Sequence, residues 1–194
     1  MESKMVNEKK VLWKPGTILA PVPVVLVTCS DLNGHDNIIT VGWVGTINSE
    51  PPMLSISVRR ERYSFGLISN SKKFVVNVPD KTLVKATDLC GVISGRNEDK
   101  FHLTGLSKGK SSSGKVPIIL ECPINIECDV QSEIELGSHV MFLGKITGVQ
   151  ISEKYIDESN KFNLQKAQLL SFAHGSYYQL GKELGTFGFS VKKR

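Results

Sequence analysis

The run Met53-Leu-Ser-Ile-Ser-Val-Arg59 constrains the fold of this chain more than any other stretch. In an extended chain, successive side chains point to opposite faces. Leu54, Ile56 and Val58 therefore share one face, and Ser55, Ser57 and Arg59 share the other. A helical period would scatter both sets, so the run is read as a half-buried strand. Pro51-Pro52 closes the connection in front of it. Behind it, Ser64 is read as the N-cap of a helix carrying Leu67 and Ile68.

The rest of the chain follows the same grammar. Val24-Val-Leu-Val-Thr28 is rich in β-branched residues and reads as a buried strand. Asn33-Gly34 is a strong hairpin signal, and a second strand is expected from Ile38 to about Val44. Lys73 to Val78 reads as a strand stopped by Pro79. Thr82 to Leu89 and Asn97 to Leu103 suit short helices, and Lys108 to Lys115 suits an exposed loop. Ile124, Ile126, Cys128 and Val130 alternate with Asn125, Glu127 and Asp129. A turn is expected at Gly137, then a long strand from His139 to Ile151, with bulges or bends at Gly144 and Gly148. Phe162 to Phe172 is left open between helix and irregular chain. Six or more strands with short connecting helices imply a mainly β protein, a closed or nearly closed β-barrel. Residues 1–194 are read as a single domain, with 1–10 as a flexible arm and Leu12 and Trp13 packing behind it.

Charge and composition narrow the function classes. The formal net charge of +5 and a sequence pI of about 9.0 suit an anionic small-molecule ligand. No long Lys/Arg run supports nucleic-acid binding. Cys29, Cys90, Cys122 and Cys128 form no Cys-x-x-Cys pair and show no zinc-ligand spacing with histidine, so free thiols in a cytoplasmic setting are expected. No stretch is long and apolar enough to span a membrane. Gly-x-Gly-x-x-Gly, the P-loop and Gly-x-Ser-x-Gly are all missing. His35, His102, His139 and His174 are scattered, and no metal site is expected.

Three segments carry chemistry. Arg59, Arg60 and Arg62, with Ser55, Ser57, Tyr63 and Ser64, concentrate groups that hold a phosphate monoester by charge-assisted hydrogen bonds. Gly42-Trp43-Val-Gly45-Thr46 offers a flat wall and small residues that suit an isoalloxazine ring. Ser94, Gly95, Arg96 and Lys100 make a compact cationic loop. Taken one at a time, the same residues suit a solvated arginine patch, a core tryptophan and a tight turn, and the residue pattern leaves both readings open.

Taken in order, the segments resemble the flavin reductase-like, FMN-binding split-barrel family, especially its flavoredoxin-like members. The matching pieces are Asn37-Ile-Ile-Thr-Val-Gly-Trp-Val-Gly-Thr46, Glu50-Pro-Pro-Met53, Ser55-Ile-Ser-Val-Arg-Arg-Glu-Arg-Tyr-Ser64, Phe74-Val-Val-Asn-Val-Pro79, Ser94-Gly-Arg-Asn-Glu-Asp-Lys-Phe101 and Gly137-Ser-His139. The resemblance implies a split β-barrel with a Greek-key-like core, usually a homodimer, with FMN near the dimer interface. It implies Trp43, Gly45 and Thr46 beside the ring, and Ser57, Val58 and Arg59 along the ribityl-phosphate. It places Arg62, Tyr63 and Ser64 at the phosphate, completed by Ser94, Arg96 and Lys100. Tyr177 or Phe187 would cover a flavin, from either subunit. The implied activity is NAD(P)H-dependent flavin reduction, with hydride passing from NADH or NADPH to flavin N5. The alternative is a flavoredoxin-like electron-transfer flavoprotein reduced by a protein partner. No side-chain acid or base is required for the hydride step, and His139 is the one candidate proton donor.

Overall fold

The computed structural model describes residues 9–191. Part of the expected N-terminal arm, residues 1–8, lies outside the described residues. Seven strands form the main sheet: β2 (Val25–Ser30), β3 (Asp36–Val41), β4 (Val44–Asn48), β5 (Met53–Val58), β6 (Lys73–Val78), β9 (Ile124–Glu135) and β10 (Val140–Ile151). Their order is β3-β2-β6-β9-β10-β5-β4, with every neighbouring pair antiparallel. The two edge strands, β3 and β4, are joined by Gly42 and Trp43 alone. A two-residue link between opposite edges requires the sheet to curl until those edges meet. The Ser57 N–H of β5 donates to the Trp43 carbonyl at 2.9 Å and so holds the link against β5. The result is a split β-barrel, mainly β with short connecting helices.

The alternation in β5 does what its sequence dictates. Leu54, Ile56 and Val58 are buried in the barrel core with Val25, Val27, Phe74 and Phe142, while Ser55 and Ser57 are half-buried on the other face. The single strand expected from Ile38 to Val44 is instead two strands, bent at Gly42-Trp43, because β4 must leave β3 to pair with β5. The register shifts in the long β9–β10 hairpin fall beside Gly144 and Gly148, as expected. At Gly144 the reason is close packing: a Cβ there would stand 2.7 Å from Phe74 Cζ and 3.0 Å from Cys128 Cβ.

The helices are α1 (Tyr63–Ser71), α2 (Val84–Val92), α3 (Lys100–Thr104) and α4 (Leu164–Ala167). Cys90 of α2 and Phe101 of α3 pack with Leu26 and Ile38 in a second core outside the barrel. That packing holds the 93–99 loop over β3. Two short strands, β7 (Lys108–Gly109) and β8 (Ile118–Ile119), form a ribbon. Asn77 ties the ribbon to the barrel: its Oδ1 accepts from the Ile119 N–H at 2.9 Å and from Asn125 Nδ2 at 2.8 Å. A third sheet, β1 (Val22–Pro23), β11 (Leu170–Ala173) and β12 (Ser176–Gln179), closes one end of the barrel. The 162–172 stretch thus contains α4 and part of β11. Leu12 and Trp13, expected to pack, are instead exposed, as are Val11, Ile18 and Leu19. No helix among the described residues is long and apolar enough to cross a membrane.

Candidate functional site

Two cavities share a wall at the start of α1. The first, about 370 Å³, is lined by Asn37, Ile39, Glu61, Arg62, Tyr63, Ser64, Cys90 and the loop carrying Ile93 to Arg96, with Lys100 at its base. The second, about 190 Å³, runs from Ile39 through Gly42 and Trp43 to Ser57, Val58, Arg59, Arg62 and His139. Ile39 and Arg62 line both. Most of the residues nominated from sequence are therefore brought to two adjoining cavities, by β3, β5, the α1 N-terminus and the 93–99 loop.

The first cavity gathers cationic side chains and free backbone N–H groups. No side chain caps α1, whose N-cap is Arg62 and whose first residues line the cavity. An uncapped helix start presents free N–H groups and the positive end of the helix dipole. Ser64 is not the N-cap expected from sequence. It lies inside α1, buried, and its Oγ accepts from Asn37 Nδ2 at 2.7 Å. Arg96 Nη1 donates to the Glu61 carbonyl at 3.2 Å, and its guanidinium lies 6.0 Å from the centre of the Tyr63 ring. Arg59 Nη1 pairs with Glu61 Oε1 at 3.0 Å. Arg60 turns away to Glu135 and stacks over Phe65. The Arg62 guanidinium has no hydrogen-bond or ion-pair partner among the described residues, although it lines both cavities.

Lys100 behaves unlike a surface lysine. Its side chain is buried, and Nζ donates to the carbonyls of Ile38 at 2.7 Å and Cys90 at 2.8 Å. Burial pulls its pKa below the ordinary lysine value. It therefore ties β3 to α2 beneath the cavity. Burial also pushes the thiols of Cys29 up to about 12 and Cys90 up to about 11, so neither is a nucleophile near neutral pH.

In the second cavity Trp43 is half-exposed, 40% accessible, so the indole is a wall rather than a core residue. His139 Nδ1 lies 2.9 Å from Ser138 Oγ. Burial, with Arg59 nearby, lowers the His139 pKa, so the ring is neutral near neutral pH.

Four nominated residues lie elsewhere. Gly45 and Thr46 follow the bend at Trp43 and line a separate apolar cavity of about 360 Å³ with Pro21, Leu54, Val76 and Leu180. Tyr177 packs edge-on against Phe172 and donates to Asp88 Oδ1 at 3.1 Å, beside a groove on α2. Phe187 is fully exposed on the C-terminal segment. Conversely, Asn37, Ile39, Glu61, Cys90 and Ile93 line the first cavity without having been nominated. Asn37 and Ile39 are two apart on β3, the spacing of one strand face, which is the signal that could have revealed them. No cluster of His, Cys, Asp or Glu able to hold a metal ion occurs among the described residues.

The family model described as flavin reductase like domain matches residues 19–181. The flavoredoxin of Desulfovibrio vulgaris (Miyazaki F) superposes with a TM-score of 0.88 and 29% identity, covering 95% of this chain and 100% of that one. A flavoredoxin from Methanosarcina acetivorans gives a TM-score of 0.87 and 29% identity over 95% of this chain and 98% of the other. A flavin reductase of Pseudomonas putida is 30% identical over 135 residues, 69% of this chain and 75% of that protein.

Proposed function

The chain belongs to the flavin reductase like domain family, and from that premise we propose that it is an FMN-binding electron-transfer flavoprotein of the flavoredoxin kind, reduced by a protein partner. The observation that carries FMN binding is Arg62, unpaired among the described residues and common to the walls of both cavities. A molecule with a phosphate at one end and a flat ring at the other needs this arrangement. The donor set fits it. Arg62, Arg96, Ser94 and the uncapped start of α1 at Tyr63 and Ser64 would hold the phosphate, with Lys100 supplying positive charge from below. Ser57, Val58 and Arg59 would follow the ribityl chain, and Trp43 would wall the ring. Gly45 and Thr46 line the apolar cavity past the bend, and Tyr177 the groove on α2, outside this cleft.

When bound, the flavin supplies the redox chemistry. The chain's own residues bind it, orient it and exclude water. His139, neutral near neutral pH, is the side chain at the ring cleft able to take up or release a proton there. The likeness to two flavoredoxins across 95% of the chain favours the protein-partner reading. The Pseudomonas putida relative supports a second reading, NAD(P)H-dependent flavin reduction. Stopped-flow reduction separates them. Fast bleaching of bound FMN by a reduced ferredoxin-type donor, with slow bleaching by NADH and NADPH, is expected; fast bleaching by either nicotinamide would favour the second reading instead.

A homodimer is part of the proposal. Leu12 and Leu19, and at the other end Leu184, Phe187 and Val191, are each at least 81% exposed. Exposed apolar side chains of this size are candidates for cover by a second copy. Residues 1–194 are read as one flavin-binding domain. The four free, buried cysteines support a reducing, cytoplasmic setting.

A further inference from the structure

Among the described residues, Glu61 is the one carboxylate lining the cavity assigned to the phosphate; Arg62 and Arg96 line that cavity too, and Arg59 lines the adjoining one. The Glu61 side chain pairs with Arg59 Nη1 at 3.0 Å, and its carbonyl accepts from Arg96 Nη1 at 3.2 Å. Of the three arginines, Arg62 is the one whose guanidinium has no hydrogen-bond or ion-pair partner among the described residues. The carboxylate is held ionised by hydrogen bonds from its own N–H and from Arg59, with Arg62 adding charge. An ionised carboxylate in the wall of that cavity repels a bound phosphate.

We propose that Glu61 is a specificity-determining residue that limits phosphate affinity, so that FMN exchanges from the site instead of being held permanently. This rests on the FMN reading above and deepens it. A site built for permanent retention gains nothing from an anion two residues from Arg59. A site that releases its flavin does.

The inference is tested by titrating the full chain with FMN and with riboflavin, which lacks the phosphate, following flavin fluorescence at low and high salt. Glu61→Gln should lower the Kd for FMN by about three-fold, the scale of an exposed ion pair, and leave riboflavin unchanged. The gain should shrink at high salt, since exposed charges are screened. Glu133→Gln is the control. It removes a carboxylate that pairs with Lys72 and Ser69 away from the cavity, and should change neither Kd. Unchanged or weaker FMN binding in Glu61→Gln overturns the inference, as does equal tightening by Glu133→Gln, which would assign the effect to net charge. A wild-type chain that binds neither flavin overturns the FMN reading itself.

Discussion

The side-chain amide of Asn37 fills the place where a Cβ on Gly95 would have to stand. Asn37 is buried on β3 and anchored by its bond to Ser64 Oγ, so it cannot move aside freely. Glycine at 95 therefore lets the 93–99 loop lie directly on β3 and close the first cavity. Gly95→Ala must displace either the loop or Asn37. Overpacking of this kind costs about 1–3 kcal/mol. Urea denaturation should show that loss, together with weaker FMN binding; a variant of wild-type stability and affinity would mean that the loop is not seated on Asn37.

Lys100 gives a second prediction. Lys100→Met keeps an apolar stem but leaves the carbonyls of Ile38 and Cys90 without their donor. Unpaired buried acceptors cost about 1–3 kcal/mol, partly offset by no longer burying a charge. The urea midpoint should fall. A midpoint equal to wild type would show that the ammonium is not what joins β3 to α2.

The role assigned to Arg62 separates flavins by their phosphate. Arg62→Ala should weaken FMN by about ten-fold or more, the scale of a charge-assisted hydrogen bond, and riboflavin much less. Equal losses for both would place Arg62 away from the phosphate. Because the side chain is exposed and has no partner to abandon, stability should be unchanged.

The buried thiols make stability fall in alkali. Burial raises Cys29 and Cys128 to about 12 and Cys90 to about 11, against 9.0 for an ordinary thiol. Above 9.0 the unfolded chain loses these protons while the folded chain keeps them. The folded state then binds more protons, so unfolding becomes easier as pH rises. The loss begins near pH 9 and runs to about 11 for Cys90 and about 12 for the other two. Within it each thiol contributes about 1.4 kcal/mol per pH unit. Lys100 opposes the trend, because deprotonation relieves its burial. Urea unfolding at a series of pH values should show a plateau, then a decline that is shallower in Cys128→Ala. Equal slopes in the two proteins would contradict the assignment.

Much of the barrel is legible in local sequence because local rules decide it. The alternation of β5 is fixed by which side chains can be buried, and the β2–β3 connection is fixed by turn chemistry. There Asp31 Oδ1 accepts from the N–H groups of Asn33 and His35. Gly144 and Gly148 mark bulges because close packing excludes a side chain at Gly144. The failures are tertiary. Nothing between Ile38 and Val44 says that the chain must change partners at Trp43, and past that bend Gly45 and Thr46 line a different cavity from Trp43. Ser64 has the chemistry of a cap, but Asn37, 27 residues away, engages its hydroxyl. Arg60 looks equivalent to its neighbours until β9 brings Glu135 beside it. The residue types proposed for the phosphate were legible in the sequence, and the fold was needed to sort them.

The most direct measurement is the visible absorption spectrum of the purified protein, before and after titration with FMN. Bound flavin bands, shifted from those of free FMN and saturating at one FMN per chain, are the predicted result; Trp43→Ala should alter the shift if the indole walls the ring. A protein with no flavin absorbance, whose addition leaves the FMN spectrum and fluorescence unchanged, would contradict flavin binding at this cleft.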